Sequence, residues 1–128
     1  MKLSEGLKTT QRLYIETAPL IYYVETNPAY IARMDAIIAA VENGAFLAFS
    51  SVLVHNQDLR LLSITTRIAE TAADLRARYN LRTPDALHVA AALDSGCDAF
   101  LTNDIGIRRV TEIAVWVLDE LELDLPKL

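Results

Sequence analysis

Short apolar runs alternate with helix-like segments along this chain of 128 residues. The runs are too short for helices, and their composition is typical of buried strands. Strands that alternate with helices predict a parallel sheet covered by helices on both faces, so we expect an α/β protein. The predicted strands are 12–15, 45–52 (with a possible extension to 54), 59–64, 99–101 and 114–118, and the predicted helices are 18–25, 29–42, 66–79 and 83–93.

The composition predicts one domain with a single core, because 52% of the residues are hydrophobic. A formal net charge of −5 argues against broad nucleic-acid binding through a basic surface. The lone Cys97 excludes an internal disulfide and is expected to be a small buried residue. No signal peptide or membrane span is evident, so we expect a cytoplasmic protein without membrane contact. The polar residues 1–11 and the acidic residues 122–128 are interpreted as loose tails.

The junction between the second and third predicted strands does not fit a parallel sheet. Parallel neighbours need a crossover of about 12 residues or more, and residues 55–58 supply far fewer. Either these strands form an antiparallel hairpin with an unusual turn, or a helical connection is missing between residues 54 and 58.

An acidic residue stands at the start of the most apolar helix. Thr83 is predicted as the N-cap and Pro84 as the first helical residue, which puts Asp85 in the first turn. Its carboxylate is stabilised there by the helix dipole, and it serves either as a structural cap or as a ligand.

Three carboxylates, those of Glu16, Asp85 and Asp104, are predicted at the same edge of the sheet. Glu16 ends the first strand, Asp85 begins a helix, and Asp104 follows the strand 99–101. Carboxylates brought together repel one another unless a cation lies among them, and oxygen ligands of this kind favour Mg²⁺ or Mn²⁺. Such ions activate water and stabilise the leaving oxygen in phosphoryl chemistry, so the pattern indicates metal-dependent phosphodiester hydrolysis.

Three motifs in this chain resemble those of PIN domains, especially the VapC-like ribonuclease toxins of bacterial toxin–antitoxin pairs. They occur in the order expected of that family, and the resemblance covers most of residues 12–121, the predicted domain. The motifs are LYIETAPLIY at 13–22, LRTPDALHVA at 81–90 and FLTND at 100–104.

The resemblance implies a three-layer α/β/α sandwich with a central, mainly parallel sheet. It also implies a Mg²⁺ or Mn²⁺ site, cleavage of single-stranded RNA, homodimerisation and inhibition by a small antitoxin protein. By position, Asp85 and Asp104 match metal ligands of the family, and Asn103 lies in the same motif and is expected to support the catalytic site. Glu16 stands where the family usually has aspartate, and its extra methylene displaces the oxygens by an amount that can cost about 10²-fold in rate.

A further acidic ligand of the family lies in a helix after the strand matched by residues 45–52. That helix is missing here, at the junction that already lacks a crossover. The alternative function is therefore a catalytically impaired PIN fold that acts as a protein-binding module. A receiver-like signalling domain is a third possibility, but it needs a lysine after a late strand, and none stands near residues 115–118.

Several other residues near these motifs have two interpretations. His88 is either within reach of the site or a packed core residue. Thr17 and Thr102 either contact a phosphate or a metal-bound water, or stabilise turns. Arg108 and Arg109 either touch an RNA backbone or are solvated. Tyr22, Tyr23 and Met34 are expected in the core or at a dimer interface, in preference to a role in base stacking. Trp116 is expected in the core.

Overall fold

The structure, a computed structural model, describes residues 1–50, 59–61 and 63–124. Its described part is a parallel sheet flanked by α-helices, with two short 3₁₀ turns near the C-terminus. The strands are β1 (Arg12–Ile15), β2 (Leu47–Ser50), β3 (Leu59–Leu61), β4 (Ala99–Thr102) and β5 (Ala114–Val117). The helices are α1 (Leu3–Thr9), α2 (Thr17–Val24), α3 (Ile31–Glu42), α4 (Thr66–Tyr79) and α5 (Thr83–Asp94).

The sheet has five strands in the order β3-β2-β1-β4-β5, and every neighbouring pair is parallel. The chain builds the sheet outward from β1 in one direction through β2 and β3, and in the other through β4 and β5. The strand order therefore reverses between β1 and β4. In open α/β sheets a crevice forms at this point, beyond the carboxyl ends of the two strands.

Both faces of the central strands β1 and β4 are buried apart from the partly buried Arg12, as their apolar composition predicts. Leu13 and Ile15 pack on one face with Met34 and other residues of α2 and α3, whereas Tyr14 packs on the opposite face with residues of α4 and α5. The three-layer α/β/α architecture with a parallel sheet is thereby confirmed. In the part of the chain that is described, no helix is long and apolar enough to cross a membrane.

The strands β2 and β3 are parallel neighbours, which decides between the two interpretations of their junction in one respect. Ala48 pairs with Leu59 and Ser50 with Leu61 in parallel register, so the antiparallel hairpin is wrong. Only residues 51–58 join these strands, fewer than the dozen that parallel neighbours usually need. The predicted missing segment between 54 and 58 lies outside the described residues and stays a prediction.

The N-terminus is not the loose tail that its polar sequence predicts. Residues Leu3–Thr9 form α1, and the Leu3 side chain is fully buried. Gly6 lies so close to the core residue Trp116 that a β-carbon there would come within 2.5 Å of the indole ring. The tail predicted at 122–128 is also attached where it is described, because the Leu3 amide donates to the Glu122 carbonyl over 2.9 Å.

The remaining elements lie close to their predicted positions. β1 and α4 have the predicted bounds, and Trp116 and Cys97 are buried as expected. Burial raises the pKa of the Cys97 thiol to about 12, which keeps it protonated at neutral pH. α5 begins one residue earlier than predicted, so Arg82 is its N-cap and Thr83 its first helical residue.

Candidate active site

A pocket of about 410 Å³ lies at the point where the strand order reverses. Its acidic lining residues come from the ends of β1 and β4 and from the start of α5. In a parallel sheet these positions lie at the same edge. All four sequence-predicted site residues line the pocket together with three further residues that bear on its chemistry. The predicted ones are Glu16, Asp85, Asn103 and Asp104, and the others are Tyr22, Arg82 and Thr102.

Glu16 is the residue between β1 and α2, and it is a largely buried residue that lines this pocket. It occupies the N-cap position of α2 without capping it by a side-chain hydrogen bond. Instead, the Thr102 hydroxyl donates to its Oε2. The pKa of Glu16 is raised to about 7, mainly by burial and to a smaller extent by the nearby Asp85 and Asp104, while the Thr102 hydrogen bond opposes the shift. The carboxyl group is therefore poised between its two protonation states at neutral pH.

Asp85 stands third in α5, in the first turn as predicted, and Arg82 occupies the N-cap position. A carboxylate in this turn is favoured by the helix dipole, and the choice between a structural role and a ligand role stays a prediction. The Asp85 carboxylate lies near Glu16, whose pKa it raises, and forms an ion pair with Arg82. In the ion pair, Arg82 Nε lies 3.2 Å from Asp85 Oδ2, and the side chains are 80% and 9% exposed, respectively.

Asp104 follows β4 and is fixed by its own backbone surroundings. Its Oδ1 accepts from the Gly106 amide over 2.8 Å and caps the 3₁₀ turn Ile105–Arg109. Its amide donates over 3.0 Å to the hydroxyl of Thr102, the fully buried last residue of β4. Because the same hydroxyl donates to Glu16, Thr102 connects the Glu16 carboxyl group to the backbone of Asp104. The hydrogen bond with the Asp104 amide fits the predicted turn-stabilising role of Thr102. The hydrogen bond with Glu16 was not predicted from the sequence.

Asn103 supports the pocket wall. Among the described residues, its side chain forms no hydrogen bond with the three carboxylates. Its amide nitrogen donates to the Tyr30 hydroxyl over 3.1 Å, and its amide oxygen accepts from the Asp119 backbone over 3.0 Å. Tyr30 in turn stacks on Tyr22, with 4.4 Å between ring centroids. Asn103 therefore joins β4 to the aromatic pair beside the pocket.

The donor set of this pocket fits a hard divalent cation. Three carboxylates line it, and the upward pKa shift of Glu16 includes the repulsion that such a cation would relieve. The side chains do not form a complete protein cage, because no group of three or more acidic, histidine or cysteine residues within the described ranges is arranged to hold an ion. Mg²⁺ is commonly bound by one or two carboxylates, with water and substrate phosphates as its other ligands.

Three other residues considered from the sequence have partners of their own. His88 is partly buried, with Nδ1 2.7 Å from the Tyr14 hydroxyl and Nε2 3.4 Å from the Thr17 hydroxyl. Burial lowers the pKa of His88, which favours a packed, neutral side chain. Arg108 pairs with Glu120, and Arg109 donates to the Gly106 carbonyl.

Arg82 and Tyr22 are pocket residues that the sequence reasoning missed or assigned elsewhere. Arg82 belongs to the LRTPDALHVA motif and stands three residues before Asp85, one helical turn away, so its spacing was an available signal. Tyr22 was expected in the core or at an interface, and its position at the pocket depends on how α2 packs beside β4.

Comparison with known proteins adds one finding. The family model for the PIN domain matches residues 43–113, more than half of the chain. The matched range includes Asp85, Asn103 and Asp104, while Glu16 precedes it. Neither the search of curated proteins nor that of solved structures gave a match.

Proposed function

We propose that this chain, which belongs to the PIN domain family, is a Mg²⁺- or Mn²⁺-dependent endoribonuclease that hydrolyses single-stranded RNA. PIN domains are generally nucleases. One observation carries the proposal: three carboxylates from three separate elements line a single pocket at the reversal of the strand order. A bound divalent cation would supply positive charge and an activated water for attack on a phosphodiester.

Asp85, Asp104 and Glu16 are the residues proposed to hold the cation. Asp104 is prepositioned, since the Gly106 amide fixes one of its oxygens. Glu16 is oriented by the buried Thr102 hydroxyl. Fixed carboxylates lose little conformational freedom on binding, and a rigid arrangement is what catalysis requires of ligands and orienting groups.

The proposal includes a biological setting that follows from the motif resemblance. In this setting the protein is the VapC-like toxin of a toxin–antitoxin pair, forms homodimers and is inhibited by a small antitoxin protein. The net charge of −5 supports a substrate contact that is local to the pocket, since the overall charge of the chain would repel RNA.

A second candidate function is a PIN fold without catalysis that binds a protein partner. Two observations favour it: glutamate at position 16 where the family usually has aspartate, and the absence of a three-ligand cage among the described residues. In this case the pocket would retain its fold and lose its chemistry.

Cleavage of a labelled single-stranded RNA distinguishes the two functions. We expect cleavage with Mg²⁺ or Mn²⁺, none with excess EDTA, and recovery when the ion is restored. Asp85→Asn should reduce cleavage at least ~10²-fold, because it removes a ligand charge from the pocket. Asp35→Asn changes an exposed carboxylate of α3 and should leave the rate within about twofold.

Two results would contradict the nuclease proposal. One is the absence of cleavage from folded protein with either ion, and the other is cleavage that Asp85→Asn and Asp35→Asn affect equally. Partner binding that survives Asp85→Asn, in protein that does not cleave RNA, would support the binding module instead.

A further inference from the structure

Arg82 is the one basic residue along the described wall of a pocket that otherwise carries three carboxylates. A pocket of this charge repels the phosphates of an approaching RNA strand. The proposed substrate therefore needs a local cation besides the metal ion, and Arg82 is placed to provide it. This inference rests on the proposed function.

The contact between Arg82 and Asp85 is an exchangeable one. It uses Nε alone, at 3.2 Å, and four-fifths of the arginine side chain is exposed to solvent. The Asp85 carboxylate is itself buried, so the guanidinium can leave it at small cost only when a bound cation takes over its charge compensation. By contrast, the backbone of Arg82 is fixed at the entrance of α5, where its carbonyl accepts from the Ala86 amide.

Asp85 has two potential positive partners, Arg82 and a divalent cation. They compete for one carboxylate, since Asp85 Oδ2 is already occupied by Arg82. A guanidinium released from Asp85 presents a planar set of donors that matches a phosphate group.

We infer that Arg82 alternates between two partners: it pairs with Asp85 in the metal-free protein and binds a substrate phosphate when Asp85 holds the cation. Arg82 is thus a substrate-binding residue whose charge also limits metal affinity before RNA arrives. The inference predicts that removing this arginine changes metal binding and RNA binding in opposite directions, which a purely structural residue would not do.

The chain offers a matched control in Arg67. Its Nε lies 3.0 Å from Asp94 Oδ1, and its side chain is 83% exposed, so it also pairs with a carboxylate through Nε from an exposed side chain, here with a partner that is 29% exposed. Arg67→Gln and Arg82→Gln therefore remove the same charge and the same kind of contact, and they differ in whether the pocket is involved.

The test measures two affinities without turnover. Mg²⁺ binding to the protein alone is followed by calorimetry, and we expect Arg82→Gln to bind the ion about two- to fivefold more tightly. Binding of a fluorescent RNA of about 12 nucleotides is followed by anisotropy with Ca²⁺ in place of Mg²⁺, with a gel to verify that the strand stays intact. Here Arg82→Gln should weaken binding about fivefold and reduce the slope of log K against log salt by about 0.7, the value for one phosphate contact.

Lysine and glutamine variants refine the readout. Arg82→Lys should keep most of the salt slope but bind RNA less tightly than wild type, because the charge remains and the planar donor set is lost. Arg67→Gln should leave both affinities within about twofold.

Either of two results would overturn the inference. If Arg82→Gln weakens Mg²⁺ binding, the arginine only positions Asp85. If it binds RNA as Arg67→Gln does, Arg82 does not contact substrate, although a wild-type protein that still cleaves RNA leaves the proposed function intact. A wild-type protein that binds Mg²⁺ but no RNA would contradict both the inference and the proposed substrate.

Discussion

Glu16 combines burial with proximity to two other carboxylates, and this combination has a measurable cost. Burial is the largest cause of its raised pKa of about 7, compared with 4.5 for an unperturbed side chain. The folded protein therefore holds the proton more tightly than the unfolded chain does. As pH rises from 4.5 through 7, the folded state loses an advantage that it has at lower pH.

We expect the free energy of unfolding in EDTA to fall by about 3 kcal/mol between about pH 4.5 and pH 8 through Glu16 alone. Glu16→Gln should abolish this part of the pH dependence, because glutamine carries no titrating proton. Urea unfolding at several pH values measures it. Glu42→Gln, at an exposed position on α3, is the control. Equal pH dependence in wild type and Glu16→Gln would show that Glu16 titrates alike in the folded and unfolded chains.

Thr102 provides a second prediction, because its buried hydroxyl contacts Glu16 and the Asp104 amide. Thr102→Val keeps the shape and removes both hydrogen bonds, so we expect a loss of about 1–3 kcal/mol in stability. If the hydroxyl also orients Glu16, RNA cleavage should fall about 10- to 100-fold. Thr102→Ser restores the hydroxyl and should recover most of the rate. A valine variant as active as the serine variant would contradict this role.

The carboxylates could be placed from the sequence because strand ends and helix starts determine which edge of a parallel sheet they reach. Arg82 and Thr102 could not be assigned in the same way. The contacts of Arg82 depend on side-chain direction at a helix entrance, and those of Thr102 depend on the lateral pairing of β1 with β4. Neither is a local property of the chain.

Helix α1 is an entire element that the local sequence does not predict. Its sequence is short and polar and includes Gly6, a residue unfavourable inside helices, so propensity predicts no helix there. Packing reverses this preference, because Gly6 allows the helix backbone to approach Trp116 and Leu3 fills the core. In contrast, α4 was predicted with its bounds because its apolar spacing and its Asn80 stop are both local signals; Asn80 adopts the left-handed conformation, with φ of 53°.

Gly6→Ala tests the packing of α1. A methyl group placed within 2.5 Å of the indole ring forces the helix or Trp116 to move, so we expect a loss of about 1–3 kcal/mol in spite of the higher helix propensity of alanine. Glu5→Ala, an exposed substitution in the same helix, should have little effect. Urea unfolding with tryptophan fluorescence reports both. A Gly6→Ala variant as stable as wild type would mean that α1 is not packed against the core.

At the scale of the whole molecule, three carboxylates from distant parts of the chain share one pocket, and a divalent cation bound there should stabilise the folded chain. Free Mg²⁺ at about 100 times its Kd contributes about 2.7 kcal/mol, which for a domain of this size raises Tm by roughly 10 °C. Thermal unfolding at about pH 8, where Glu16 is ionised, with and without Mg²⁺ measures the shift. We expect Asp85→Asn combined with Asp104→Asn to abolish it and Asp35→Asn to retain it. An unchanged shift in the double variant would place the ion elsewhere.

The strand order also determines when the pocket can form during synthesis of the chain. Glu16 comes from the first strand of the chain and Asp104 from a segment that follows the fourth, and the two meet only when β4 has paired with β1. A ribosome must therefore synthesise the chain through Asp104 before the three carboxylates can lie in one pocket. Neither a nascent chain nor a proteolytic fragment that ends before β4 contains the pocket, so the site can form only after that strand has been made.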